Sequence, residues 1–140
     1  MEKQYYTQME AARKGIITPE LVKVAQKENR TPEELLPVLA SGKMVIPANI
    51  HHKSIEPNGV GSMLKTKINV NLGVSRDYKD YDLEMNKVQR AVDLGAEAIM
   101  DLSSHGNTQP FRQKLCSECT AMIGTVPVYD SVIHYQRDLD

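Results

Sequence analysis

The spacing of hydrophobic positions changes character near residues 57–61 and divides the chain into 1–61 and 62–140. In the first part the apolar residues come in short helical stripes. Leu21, Val22 and Ala25 follow Thr18-Pro19, a threonine N-cap with proline at the first helical position. Thr31-Pro32-Glu33-Glu34 is a fuller start signal, because a Thr cap with Glu three residues on forms a capping box, and Gly42 can close that helix. Two short helices are therefore predicted. Pro37 falls inside the second, where proline costs about 3 kcal/mol by removing an N–H and crowding the preceding turn. A kink or a late start is expected there. Residues 44–50 read as extended and apolar, and 51–61, from His51-His52 to Gly59-Val60-Gly61, as a polar loop without periodicity.

Beyond it, short apolar runs alternate with amphipathic stretches. Strands are predicted over 66–72, 98–102 and 121–126, with helices over 81–94, 110–119 and 130–140. In the first of these helices Tyr81, Met85, Val88 and Val92 form one stripe that ends where Gly95 can act as C-cap. Strand-helix alternation points to βαβ units and a parallel sheet. The fold class expected is α/β: a small helical N-terminal region, then the first three βα units of a parallel (β/α)8 barrel. Three parallel strands leave open edges, which such sheets normally cover. The sequence therefore reads as a piece of a longer enzyme. The alternative is a binding module or accessory subunit that completes its sheet by oligomerising.

Composition narrows the class without changing the fold. A chain that is 41% hydrophobic and 25% charged, with net charge -1, is neither disordered nor polyanion-seeking. Lys and Arg are scattered, with one Phe and no Trp, so nucleic acid is not expected as a partner. No apolar run approaches the roughly 20 residues needed to cross a bilayer, and no signal sequence is evident, so a cytoplasmic location with no membrane partner is expected.

Several groups invite chemistry. Gly59-Val60-Gly61 precedes an extended segment, whereas a dinucleotide loop would precede a helix, so it reads as a turn leading into the first barrel strand. Cys116 and Cys119 have redox or half-zinc spacing without a second pair, and His105 and His134 lack ligand spacing toward them. Ordinary helix-end cysteines are expected, with a small thiol-redox or metal protein as the alternative. His51 and His52 read as solvated. Strand ends carry more information, because a parallel barrel gathers its ligand groups where the strands run out. Asn71, Met100-Asp101-Leu102-Ser103 and the Tyr129-Asp130 segment stand at the three ends.

Taken together, 8–20 (QMEAARKGIITPE), 45–54 (VIPANIHHKS), 66–73 (TKINVNLG), 100–103 (MDLS) and 124–129 (GTVPVY) closely resemble the amino-terminal part of the phosphomethylpyrimidine synthase family. The resemblance implies a radical S-adenosylmethionine lyase of thiamine biosynthesis. It would convert aminoimidazole ribotide to hydroxymethylpyrimidine phosphate with a [4Fe-4S] cluster, S-adenosylmethionine and a divalent metal such as zinc, on a barrel that assembles as a homo-oligomer. It further implies substrate contacts at Asn71, Met100 and Tyr129, each 29 residues from the next. Asn71 would hydrogen-bond the imidazole or its amine, Met100 would pack on the ring, and Tyr129 would donate to phosphate or ribose.

The family holds its cluster on a CxxCxxxxC motif near its carboxyl end, which this sequence lacks. Neither catalytic nor metal-ligating residues are expected in this chain, which alone would be inactive. A paralogous group, the hydroxybenzimidazole synthases of anaerobic cobalamin biosynthesis, acts on the same ribotide. Tyr129-Asp130-Ser131-Val132-Ile133 leans toward it.

Overall fold

The structure, a computed structural model, describes residues 5–136; the end of the helix predicted over 130–140 lies outside the described residues. Two compact units are formed. One comprises the chain up to Asn49 with Pro57–Thr66, the other Ile50–Glu56 with the chain from Lys67 onward.

The first unit holds three helices, α1 (Gln8–Arg13), α2 (Pro19–Lys27) and α3 (Pro32–Ala40), and two short strands, β1 (Met44–Val45) and β2 (Val60–Gly61). Both predicted helices start at their threonines: Thr18 accepts from the Leu21 N–H, and Thr31 and Glu34 form the reciprocal capping box. The prediction for Pro37 is corrected in part. With its start fixed by that box, α3 begins at Pro32 and runs on through Pro37. A single missing N–H is tolerated in so short a helix when its apolar face is fully used. Leu35 and Leu39 are buried with Leu21, Val24 and Met44, each contributing about 1.5–3 kcal/mol.

Helix α1 was not predicted, because six residues with two buried alanines leave almost no apolar stripe to read. The loop expected over 51–61 also needs correction at its end. Val60–Gly61 is a strand, antiparallel to β1, with Gly61 opposite Met44. Gly61 has φ +136, and a Cβ there would strike the Lys43 carbonyl oxygen and the Met44 backbone. Only glycine allows that approach. Gly61 therefore serves a strand pairing inside this unit, and not an entrance to the parallel sheet.

The second unit is the α/β part: β3 (Asn69–Leu72), α4 (Tyr81–Asp93), β4 (Ala98–Asp101), α5 (Gln109–Glu118), β5 (Met122–Thr125) and α6 (Pro127–Gln136). The three strands are parallel in the order β3-β4-β5. They are shorter than predicted. Before β3, Ile68 is occupied by Glu97, whose carboxylate accepts from the Ile68 N–H at 2.7 Å. Alternation along each strand sends Val70, Leu72, Ile99 and Ile123 to one face. There they pack with Val88 and Ala91 of α4 and Phe111 and Leu115 of α5. That face is the core of the unit.

His52 corrects another expectation. It is 5% exposed and not solvated. Its Nε2 lies 2.7 Å from the Cys119 carbonyl oxygen, which also accepts from Ser54 Oγ at 2.7 Å. A carbonyl can only accept, so Nε2 carries the proton. The Glu56 N–H donates to the Thr120 carbonyl at 2.8 Å, and segment Ile50–Glu56 is thereby fastened to the chain entering β5.

Candidate functional site

The opposite face of the sheet presents Asn69, Asn71, Ala98, Met100, Met122 and Gly124. None belongs to the apolar core packed with α4 and α5. The register sets Asn71 beside Met100 and Met100 beside Gly124, one row across all three strands. In a parallel sheet such a row points to one side. Asn71 is exposed and Met100 half-buried. Where β5 would place a third side chain, Gly124 leaves a gap, and the Met100 thioether fills it. A polar amide, a soft thioether and open backbone thus stand together near the strand ends.

Of the three residues expected to bind substrate, Asn71 and Met100 are direct neighbours. Tyr129 stands in the first turn of α6, two residues after Pro127 begins the helix, and is 38% exposed. The expected start of that helix at 130 is corrected, because Tyr129 lies inside it, its N–H donating to the Val126 carbonyl at 3.0 Å.

Beneath the row lies a polar network that sequence reasoning missed. Asp101, fully buried at the end of β4, accepts from the Ser103 N–H at 2.9 Å and from Arg112 Nε at 2.8 Å. Arg112 Nη1 pairs with Asp130 of α6, whose other oxygen accepts from Thr108 Oγ1 at 2.7 Å. Ser103 Oγ accepts from the Val74 N–H at 3.1 Å. Burial pushes the Asp130 carboxyl upward, but the Arg112 and Thr108 bonds outweigh it and hold the group below the ordinary carboxylate range. Burial likewise disfavours the Arg112 charge, and its two carboxylate partners more than restore it. These residues are 11 and 18 positions apart, and no periodicity announces an ion pair at such spacing.

A second anchor sits at the exit of β3. Glu84 is fully buried; its Oε2 accepts from the Gly73 N–H at 2.8 Å and its Oε1 pairs with Lys87 Nζ at 2.6 Å. Gly73 has φ +139, and a Cβ there would lie 2.5 Å from the Ser103 nitrogen.

Cys116 and Cys119 are free thiols at the end of α5. Burial raises the Cys119 pKa, opposite to the shift that makes a thiol reactive. Among the described residues no three His, Cys, Asp or Glu side chains come together to hold a metal ion. The iron-sulfur cluster and divalent metal implied by the resemblance therefore do not fit the described residues. Among those residues no helix is long and apolar enough to cross a membrane.

An apolar groove lies elsewhere in the same unit. A groove of about 620 Å³ runs between β3 and α4, lined by Ile68, Val70, Leu83, Ala91, Leu94 and Ala96 among others. Its apolar walls and its position on the outer side of β3 distinguish it from the Asn71-Met100 row.

Comparison with known proteins agrees over nearly the whole chain. Residues 7–139 match the Radical SAM ThiC family. A phosphomethylpyrimidine synthase from Alkaliphilus oremlandii (strain OhILAs) is 60% identical over 136 residues, which is 97% of this chain and 31% of that protein. One from Clostridium botulinum (strain Hall) is 53% identical over 135 residues, 96% of this chain and again 31% of its relative. The chain thus spans about a third of the length of the curated relatives it matches. With its parallel βα units and this match along their full extent, the chain belongs to the Radical SAM ThiC family.

Proposed function

We propose that this chain is the part of a phosphomethylpyrimidine synthase of thiamine biosynthesis that receives aminoimidazole ribotide, with Asn71, Met100 and Tyr129 as its substrate contacts. The observation that carries the reading is the Asn71-Met100-Gly124 row on the sheet face opposite the core packed with α4 and α5. Asn71 offers both a donor and an acceptor to the imidazole or its amine, and Met100 a polarisable surface for the ring. Tyr129 would supply a hydroxyl to the phosphate or ribose. The radical step, a lyase reaction, would depend on S-adenosylmethionine and a [4Fe-4S] cluster held by residues other than those described. No step of it is assigned to this chain.

The same reading takes β3, β4 and β5 as the first strands of a (β/α)8 barrel, with the Asn71 row facing its interior. Two features support it. β3 is an edge strand whose neighbour Ile68 is 59% exposed, and the apolar groove beside α4, with Leu94 79% exposed, has the character of a seat for a further βα unit. An uncovered edge and apolar groove are costly in isolation.

Asp130, which as a sequence feature leaned toward hydroxybenzimidazole synthases, has a structural reason to be acidic in its bonds to Arg112 and Thr108. The relatives at 60% and 53% identity carry the phosphomethylpyrimidine synthase name. That product is therefore the one proposed.

The test is ribotide binding by the full-length protein carrying this segment. Asn71→Ala is expected to weaken it by about 1–3 kcal/mol, the cost of a lost buried hydrogen bond. Unchanged affinity in both Asn71→Ala and Met100→Ala would remove the assignment.

A further inference from the structure

Helix α6 carries Tyr129 yet has little apolar hold on the rest of its unit. Val128, Val132 and Tyr135 are 60%, 56% and 63% exposed, and no residue described in it is buried. A ten-residue helix without a packed face is marginal. Among the described residues, the side-chain hydrogen bonds from α6 to another element all run through Asp130, one position after Tyr129.

What grips Asp130 is stiff. The Arg112 guanidinium is a planar fork, and with Nε on Asp101 and Nη1 on Asp130 its orientation is fixed at two points. Asp101 is fully buried and tied to the Ser103 N–H, while Ser103 Oγ takes the Val74 N–H. A continuous chain of bonds thus leads from the exit of β3, through the end of β4, to the first turn of α6. Asn71 lies three residues before Val74, and Met100 directly precedes Asp101. The two ends of this chain and its middle link at Asp101 therefore lie in the backbone segments that present the three proposed substrate contacts.

We infer that Arg112 is a positioning residue: by clamping Asp130 to Asp101 it sets where Tyr129 stands relative to Asn71 and Met100. The inference rests on the reading of Tyr129 as a substrate contact. It assigns Arg112 no contact with the ribotide.

The experiment is a double-mutant cycle in the full-length protein, read as the ribotide dissociation constant with kcat measured alongside. Asp130→Asn keeps the shape and an oxygen for Thr108 but releases the ion pair. It is expected to weaken binding roughly tenfold with Tyr129 present and less than about twofold in a Tyr129→Phe background, a coupling of the size found between neighbouring residues. Arg112→Lys, which keeps the charge but cannot fork to both carboxylates, should show the same dependence on Tyr129 and serves if Asp130→Asn does not fold. Equal losses in both backgrounds would make the clamp a general scaffold and overturn the inference, leaving the substrate reading intact. No loss on Asp130→Asn or Arg112→Lys would overturn it as well. If Tyr129→Phe itself binds ribotide normally, the substrate reading of Tyr129 fails, and the inference falls with it.

Discussion

Met100 lies across Gly124: a Cβ built on the glycine would sit 2.8 Å from the Met100 methyl carbon and 2.9 Å from its sulfur. The strand register makes them neighbours, and the missing side chain on β5 is what gives the thioether its place. Gly124→Ala should therefore move Met100 before it harms the fold. Methionine is flexible, and yielding to one methyl is expected to cost less than about 1 kcal/mol of stability. Ribotide affinity in the full-length protein should fall by more than that. Equal losses in stability and affinity would mean that Gly124 serves packing alone.

Glu84 and Gly73 give a prediction about the exit of β3. Glu84→Ala would leave the Gly73 N–H without its partner and a cavity beneath the turn, a cost of about 2–4 kcal/mol. Glu84→Gln keeps an oxygen for Gly73 and loses only the pair with Lys87, whose side chain is half exposed. That pair is worth about 1 kcal/mol or less after solvent screening. Denaturant unfolding of the two variants should separate them clearly. Similar midpoints would show that the bond from the Gly73 N–H to a neutral side-chain oxygen is not enough to hold the turn.

How far the sequence foretold these features depends on their physical range. Tyr81, Met85 and Val88 repeat at helical spacing, and Thr31 caps through Glu34, so α4 and α3 were legible from local pattern. α1 was not, since two alanines make a poor stripe. The burial of His52 is not legible locally because its partner, the Cys119 carbonyl, is 67 residues away. The Asp101-Arg112-Asp130 clamp was invisible for the same reason: Asp101 stood in a recognised run, but nothing local tied Arg112 to it. Gly61 was legible as a turn former and misplaced, because its need for space comes from β1 across the pairing. The Asn71-Met100 pairing was the opposite case. The predicted strands place both at strand ends, and the register sets them side by side.

Acid should loosen α6 in a defined window. The Asp130 carboxyl is held below its ordinary value, so its bonds favour the folded state fully above about pH 4, the unfolded aspartate value. That contribution is lost as pH falls through the lower folded value. Arg112 stays charged throughout, so the loss follows Asp130 protonation. Tyr129 and Tyr135 ring signals, followed by NMR from pH 6 downward (~1 unit steps), should report release of the helix. In Asp130→Asn the ring signals should already resemble the released state at neutral pH and lose this acid transition. A transition that persists unchanged in the variant would assign it to a different carboxylate.

The His52 bond gives the last test, and it separates a structural histidine from a functional one. His52 is buried, and its Nε2–H and the Ser54 hydroxyl both reach the Cys119 carbonyl just before β5. His52→Phe removes the donor and keeps the ring volume. Ser54 still satisfies the carbonyl, so the expected loss is about 0.5–1.5 kcal/mol, a net hydrogen bond and not an orphaned acceptor. His52→Phe with Ser54→Ala leaves the carbonyl with neither side-chain donor, and should cost more than the two single changes added together. Additive losses, with Cys119 no more accessible to a thiol reagent than before, would mean that segment Ile50–Glu56 is held by its backbone bond at Glu56 and not by these side chains.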